Sequence, residues 1–188
     1  MIELILGPMY SGKTTELFRR LERHKIAGRR IVMLRPAVDT RHRLTHEGLH
    51  SKNADMELPW PVFSVDAVNA QSLMEYDVIG IDEGQFFPSL IAPLGRGGIL
   101  DLVTCPKPKY VIISALNGTS ELKAWPTVQE LMPHVERLDF LAAVCMDCGE
   151  DAHFSFYIAG KDQAVSVGGE GEYLALCRRC YHRRGEGG

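Results

Sequence analysis

The stretch Gly7-Pro8-Met9-Tyr10-Ser11-Gly12-Lys13-Thr14 fits the pattern G-x-x-x-x-G-K-[ST] and narrows the possible folds more than any other part of the chain. Such a loop wraps the phosphates of a nucleotide. Its backbone N–H groups point inward, and the positive end of the following helix adds to their attraction. The loop therefore needs a strand before it and a helix after it. Ile2-Glu3-Leu4-Ile5-Leu6 is an apolar, strand-like run, and Thr15 to Ala27 is predicted as the helix, with Leu17, Phe18 and Leu21 on one face. In this setting the Lys13 ammonium reaches the terminal phosphates and the Thr14 hydroxyl is a Mg²⁺ ligand. The pattern predicts a nucleoside triphosphate site.

The rest of the chain supplies the partners of that unit. Gly28 reads as a helix stop, and Ile31-Val32-Met33-Leu34 as a buried strand. Residues 37–59 are polar and without periodicity, which reads as a long mobile loop. Val62-Phe63 reads as a short strand and Ala67 to Glu75 as a modest helix with Val68 and Leu73 inward. Tyr76 to Ile81 and Lys109 to Ser114 are two further apolar strands, and short helix pieces are expected between Phe86 and Leu102. Strands alternating with helices predict an α/β fold of the P-loop NTPase type: a mostly parallel sheet with helices on both faces. Phosphate loop and acidic strand end then share the carboxyl edge of the sheet, where such folds bind ligands.

Asp82 directly follows the apolar run 76–81, the Walker B arrangement, and its carboxylate is expected to hold Mg²⁺. Glu83, beside the metal but not bound to it, is the candidate general base; Gln85 is an alternative device for positioning a water. Cys145-Met146-Asp147-Cys148 and Cys177-Arg178-Arg179-Cys180 form two C-x-x-C knuckles with residues 149–176 between them. Four thiolates make a closed tetrahedral Zn²⁺ site, hence a structural one, with room for a β-hairpin in the spacer. This predicts two domains, a nucleotide-binding domain over 1–140 and a zinc domain over 141–188. Cys105 reads as a buried small side chain and His153 and His182 as surface histidines. The segment Ser166 to Tyr173 holds three glycines, read either as a flexible turn or as backbone that approaches a ligand.

Composition bounds the remaining possibilities. A chain of 188 residues suffices for one α/β domain and a small appendage. It has no apolar run of membrane-spanning length and enters its first strand directly, which predicts a cytoplasmic location. The formal net charge of −3 argues against a dedicated nucleic-acid binder.

The phosphate loop, Asp39-Thr40-Arg41, Ile81-Asp82-Glu83-Gly84-Gln85-Phe86-Phe87, the paired knuckles and Gly168-Gly169 resemble, in the same order, the zinc-containing (type II) thymidine kinases. The resemblance covers essentially the whole chain. It implies ATP-dependent phosphorylation of thymidine, and of deoxyuridine as a further candidate, at the 5′-hydroxyl. Lys13 and Thr14 would handle phosphates and Mg²⁺, Asp82 would assist the metal, and Glu83 would take the hydroxyl proton. Asp39 and Arg41 would serve the phosphate end, and Met9 and Phe86 would pack on the thymine ring. Leu116, Ser155, Val165, Ser166, Val167, Gly168 and Tyr173 would complete the nucleoside pocket, partly through a lasso-like loop. A homotetramer is implied as well.

Two departures stand out. The L-D-G-T-F usual in the family reads Leu116-Asn117-Gly118-Thr119-Ser120, which removes a carboxylate and an aromatic, and Trp125 is expected to refill apolar volume. The basic residues expected after the first knuckle are absent from Phe154-Ser155-Phe156-Tyr157, which shifts phosphate binding to Arg41 or Lys161. Two rival readings stay open. One is a P-loop ATPase whose zinc module docks nucleic acid through Arg178, Arg179, Arg183 and Arg184; the other is a nucleotide sensor without turnover.

Overall fold

Strand alternation decides the architecture, as seen in a computed structural model that describes residues 1–38, 58–158 and 172–186. In β1 (Ile2–Gly7), Ile2, Leu4 and Leu6 face one core while Ile5 faces another. The same division runs through β2 (Ile31–Pro36), β4 (Val78–Ile81) and β5 (Tyr110–Leu116). Val32, Leu34, Ile79, Ile81, Val111 and Ile113 join the first core, and Ile31, Met33, Val78 and Ile112 the second. Strands buried on both faces need covering on both faces. Helix α1 (Lys13–Ile26) covers one with Leu17, Phe18 and Leu21. Helices α2 (Ile99–Thr104) and α3 (Pro126–Leu131) bring Ile99, Leu102, Val128 and Leu131 to the other. Each of these buried aliphatic side chains contributes about 1.5–3 kcal/mol relative to exposure.

With β3 (Val62–Val65) and β6 (Arg137–Phe140) at the edges, the six strands run in the order β3-β2-β4-β5-β1-β6. Every pairing in this sheet is parallel. The predicted α/β architecture is therefore the one observed, with helices on both faces.

Several local expectations need correction. The helix expected over Ala67 to Glu75 is a single 3-10 turn, Ala70–Leu73. Asn69 takes extended backbone and its side chain accepts from the Gln71 N–H at 3.1 Å, so the turn starts only after it. Strand β5 continues past Ser114 to Leu116. Strand β6 is an addition: its four residues alternate charged and apolar, too short a pattern to stand out in sequence, and Leu138 and Phe140 are exposed at the sheet edge.

Strand β6 also completes a buried ion cluster. Arg20, its side chain only 6% exposed, donates to Glu3 at 2.7 Å, Glu16 at 2.8 Å and Asp139 at 2.8 Å. One guanidinium thereby ties α1 to β1 and β6.

The C-terminal segment pairs β7 (Ala143–Val144) with β8 (Asp151–Ala152), and β9 (Phe154–Tyr157) with β10 (Tyr173–Leu176), both antiparallel. Helix α4 (Arg178–Glu186) follows. Its own core buries only Ala143, Cys145, Ala152, Ala175, Leu176 and Cys180, with Phe156, Leu174 and Tyr181 partly buried against them, too few residues to hold such a unit by burial alone. The β-hairpin expected between the knuckles is present.

Candidate active site and metal centre

The phosphate loop leaves β1 at Gly7 and enters α1 at Lys13. A Cβ on Gly7 would lie 2.5 Å from Ser11 Oγ and 2.7 Å from the Leu141 carbonyl oxygen, so only glycine permits this close turn. Tyr10 (φ 64°) and Gly12 (φ 77°) take left-handed backbone on the way round. Gly12 offers no side-chain cap to α1, which leaves the opening N–H groups of that helix to a ligand. Lys13 is folded across the loop, its Nζ donating to the Pro8 carbonyl at 2.6 Å and to Ser11 Oγ at 3.5 Å.

Asp82 leaves the end of β4 with its N–H bonded to the Leu34 carbonyl at 3.0 Å. Asp82 is 3% exposed. Thr14 Oγ1 lies 3.2 Å from both carboxylate oxygens, and the Ser114 hydroxyl of β5 donates to Oδ1. Burial first, then the neighbouring charge of Glu83, push Asp82 up to about 6, while the two hydroxyls and Lys13 pull the other way. A carboxylate so reluctant to ionise gains from a cation, and beside the Thr14 hydroxyl it forms the all-oxygen donor set that suits Mg²⁺. Sequence reading missed Ser114. The available signal was a lone hydroxyl inside the apolar run of β5.

Glu83 takes left-handed backbone, φ 52° and ψ 43°, at the start of a 3-10 turn, Gly84–Phe86. Strain of this kind in a non-glycine residue is retained at functional sites. The Gln85 carboxamide donates to Glu83 Oε2 at 2.6 Å and accepts from the Leu116 N–H at 3.0 Å.

Of the residues expected at the nucleoside end, Phe86 lies in this turn, Met9 in the phosphate loop, Leu116 at the end of β5, and Ser155 and Tyr173 in the C-terminal hairpin. Phe86 meets Trp125 edge to face at 5.6 Å, so Trp125 does occupy apolar space beside it. The Trp125 indole nitrogen is sealed from solvent and has no hydrogen-bond partner among the described residues. The Met9 N–H donates to Ser155 Oγ at 3.0 Å. Tyr173 is buried and packs on Tyr157 at 5.0 Å between ring centres. Asp39, Arg41, Lys161, Val165, Ser166, Val167 and Gly168 lie outside the described residues.

The two altered positions of the Leu116 to Ser120 stretch both reach the C-terminal segment. Asn117 Nδ2 donates to the His153 carbonyl at 3.0 Å, and the Tyr181 hydroxyl donates to the Ser120 carbonyl. His153 is half-buried rather than fully at the surface. Its ring rests 5.7 Å from that of Phe140 and its Nδ1 is sealed from solvent. His182 is exposed, as expected. Cys105 is half-buried rather than buried, because it sits just past the end of α2, with its thiol 3.2 Å from the Leu102 carbonyl.

The thiols of Cys145, Cys148, Cys177 and Cys180 all lie within 4.8 Å of one another. Cys148 and Cys177 are 3.7 Å apart, close to the edge of about 3.8 Å expected for a tetrahedron with Zn–S bonds of about 2.3 Å. Burial works against the Cys145 thiolate, yet backbone N–H groups of Cys177, Asp147 and Cys148 bring that thiol down to about 6. The donor set and spacing fit Zn²⁺, with no position left for a substrate. Arg184 and Arg183 reach Asp147 inside the first knuckle at 2.6 Å and 3.5 Å, pinning α4 to it. Among the described residues, no helix is long and apolar enough to cross a membrane.

Known proteins share this chain's sequence over nearly its full length. The family model described as thymidine kinase matches residues 1–181. The thymidine kinase of raccoon poxvirus is 38% identical over 186 residues, covering 96% of both chains. Thymidine kinase 1 of Dictyostelium discoideum is 37% identical over 186 residues, 96% of this chain and 77% of the relative. The cytosolic thymidine kinase of Bos taurus is 35% identical over 189 residues, 99% of this chain and 74% of the relative. With its parallel sheet, phosphate loop and cysteine cluster in place, the chain belongs to the thymidine kinase family of phosphate-transferring enzymes.

Proposed function

We propose that the protein transfers the γ-phosphoryl group of ATP to the 5′-hydroxyl of thymidine, and to that of deoxyuridine. The observation that carries this reading is the meeting of Thr14 and Asp82 at 3.2 Å beside the phosphate loop, with Glu83 as the next residue. Phosphoryl transfer asks a protein for positioning and charge stabilisation. Thr14 and Asp82 would hold Mg²⁺, which when bound neutralises charge on the β- and γ-phosphates. Lys13 would exchange the Pro8 carbonyl for phosphate oxygens. The substrate oxygen forms a bond to the γ-phosphorus, the bond from that phosphorus to the β–γ bridging oxygen breaks, and Glu83 accepts the hydroxyl proton as ADP leaves.

In this reading Met9, Phe86, Leu116, Ser155 and Tyr173 line the nucleoside pocket, and Val165 to Gly168 cover it, while Asp39 and Arg41 serve the phosphate end. The four cysteines hold a structural Zn²⁺ in a domain over residues 141–188, docked on a nucleotide-binding domain over 1–140. A cytoplasmic homotetramer belongs to the same proposal, checked by light scattering of the purified protein. The rival nucleic-acid reading loses support from the pairing of Arg183 and Arg184 with Asp147.

Glu83→Gln tests the assignment of the base. It should bind ATP like the parent and lose about 100-fold or more in turnover. Turnover within a few-fold of the parent would remove Glu83 from the chemistry.

A further inference from the structure

Gln85 lies in the turn after Glu83 with 4% of its surface exposed. The two ends of its carboxamide meet chemically opposite partners. Nε2 reaches Glu83 Oε2 at 2.6 Å, and Oε1 reaches the Leu116 N–H at 3.0 Å. A backbone N–H can only donate and an ionised carboxylate can only accept, so the amide has a single satisfactory orientation. Leu116 ends β5 and stands in register with Gly7 of β1, the first residue of the phosphate loop. The Asn117 N–H bonds the Gly7 carbonyl at 3.3 Å, fastening the same corner. Gln85 thus spans from the strand pair that carries the phosphate loop to the carboxylate that follows β4.

We propose that Gln85 is a positioning residue, which fixes the Glu83 carboxylate relative to the phosphate loop. The inference rests on Glu83 as the base. Its geometry is specific to orientation. The backbone of Glu83 is held in a left-handed conformation, and a glutamate side chain has rotamer freedom that a short hydrogen bond from a buried amide removes. Positioning of a nucleophilic water, the other role open to Gln85, fits poorly because protein groups engage both ends of this buried amide.

The two ends can be separated by substitution. Gln85→Glu keeps an acceptor for the Leu116 N–H but replaces the donor to Glu83 with a second carboxylate. Turnover and KM for thymidine and ATP should be compared for parent, Gln85→Glu, Gln85→Met, Glu83→Gln and Glu83→Gln combined with Gln85→Met. Gln85→Glu should lose about tenfold or more in kcat, while KM for both substrates stays within about threefold of the parent. Gln85→Met, neutral and of similar volume, should lose kcat to a similar extent, because neither end is held. In the Glu83→Gln background Gln85→Met should cost less than about threefold further, because the group it positions is gone. It also serves as the test if Gln85→Glu does not fold.

About a tenfold further loss from Gln85→Met in the Glu83→Gln background, or a loss confined to KM in either single variant, would overturn the proposal. Parental turnover in Glu83→Gln would instead overturn the reading of Glu83 as the base. An inactive Glu83→Gln beside parental kcat in Gln85→Glu and Gln85→Met would overturn only the positioning role.

Discussion

The backbone N–H of Met9 donates to the hydroxyl of Ser155 at 3.0 Å, joining two residues 146 positions apart. One belongs to the phosphate loop and the other to the hairpin strand between the two cysteine knuckles. Ser155 is 5% exposed, so the hydroxyl acts as a fixed part of the loop's surroundings. The C-terminal segment therefore shapes the phosphate loop directly.

Ser155→Ala should lower stability by about 1 kcal/mol, since it leaves the Met9 N–H without its partner. It should raise KM for ATP or nucleoside with little change in the pH profile. Ser155→Thr, which keeps the hydroxyl, should recover most of both. Thermal melting and initial-rate kinetics on the three proteins check this.

Removal of zinc should act through the same contact. Structural zinc sites supply on the order of 10 kcal/mol of folding free energy, far more than the small core around Cys145 and Cys180 can provide. Treatment with a strong zinc chelator should open four further thiols to a thiol reagent, beyond Cys105, and lower Tm by more than about 10 °C. Metal analysis beside thiol titration checks the stoichiometry. Five reactive thiols in protein that retains its full Tm would contradict a structural metal.

Asp82→Asn should separate stability from activity. Asp82 has a folded value of about 6, above an unfolded value of about 3.9, so the folded protein binds this proton more tightly. The resulting stabilisation is fully present below about pH 4 and is lost as pH rises through about 6. Asparagine carries no such dependence. In Mg²⁺-free buffer the variant should gain about 1–3 kcal/mol relative to the parent between pH 4 and pH 7. The thermal upshift given by MgATP should disappear. Melting curves across pH, with and without MgATP, measure both effects.

Arg20→Met should cost about 2–4 kcal/mol, because it leaves the buried Glu3 with only the half-exposed Arg137 guanidinium, 3.9 Å away. Arg20→Met combined with Glu3→Gln should recover a good part of that loss. Urea unfolding of the single and double variants gives the comparison. Equal losses in the two would show that Arg20 acts through packing alone.

Legibility in the sequence followed how local the governing physics is. The run from Ile2 to Thr14 announces strand, loop and helix because the phosphate loop ties glycine and lysine to fixed neighbours. Asp82 and the knuckles were legible for similar reasons: Asp82 closes an apolar strand run, and the paired cysteines recur at a fixed short spacing. Ser114, Gln85 and Asn117 were harder. Each works through a partner from another element, the Asp82 carboxylate, the Leu116 N–H and the His153 carbonyl, and no spacing along the chain encodes such meetings. The change to asparagine at 117 shows the point well. In sequence it is a lost carboxylate; in the structure its Nδ2 donates to the hairpin, a bond that an ionised aspartate could not make. Strand β6 escaped because four alternating residues at a sheet edge carry too little pattern.

The most direct test of the account is transfer of phosphate from ATP, with Mg²⁺, to a panel of the natural deoxynucleosides. Transfer to thymidine and deoxyuridine, with deoxycytidine and the purine deoxynucleosides refused, is the predicted result. Absence of transfer to any nucleoside, together with ATP hydrolysis stimulated by DNA or RNA, would contradict it.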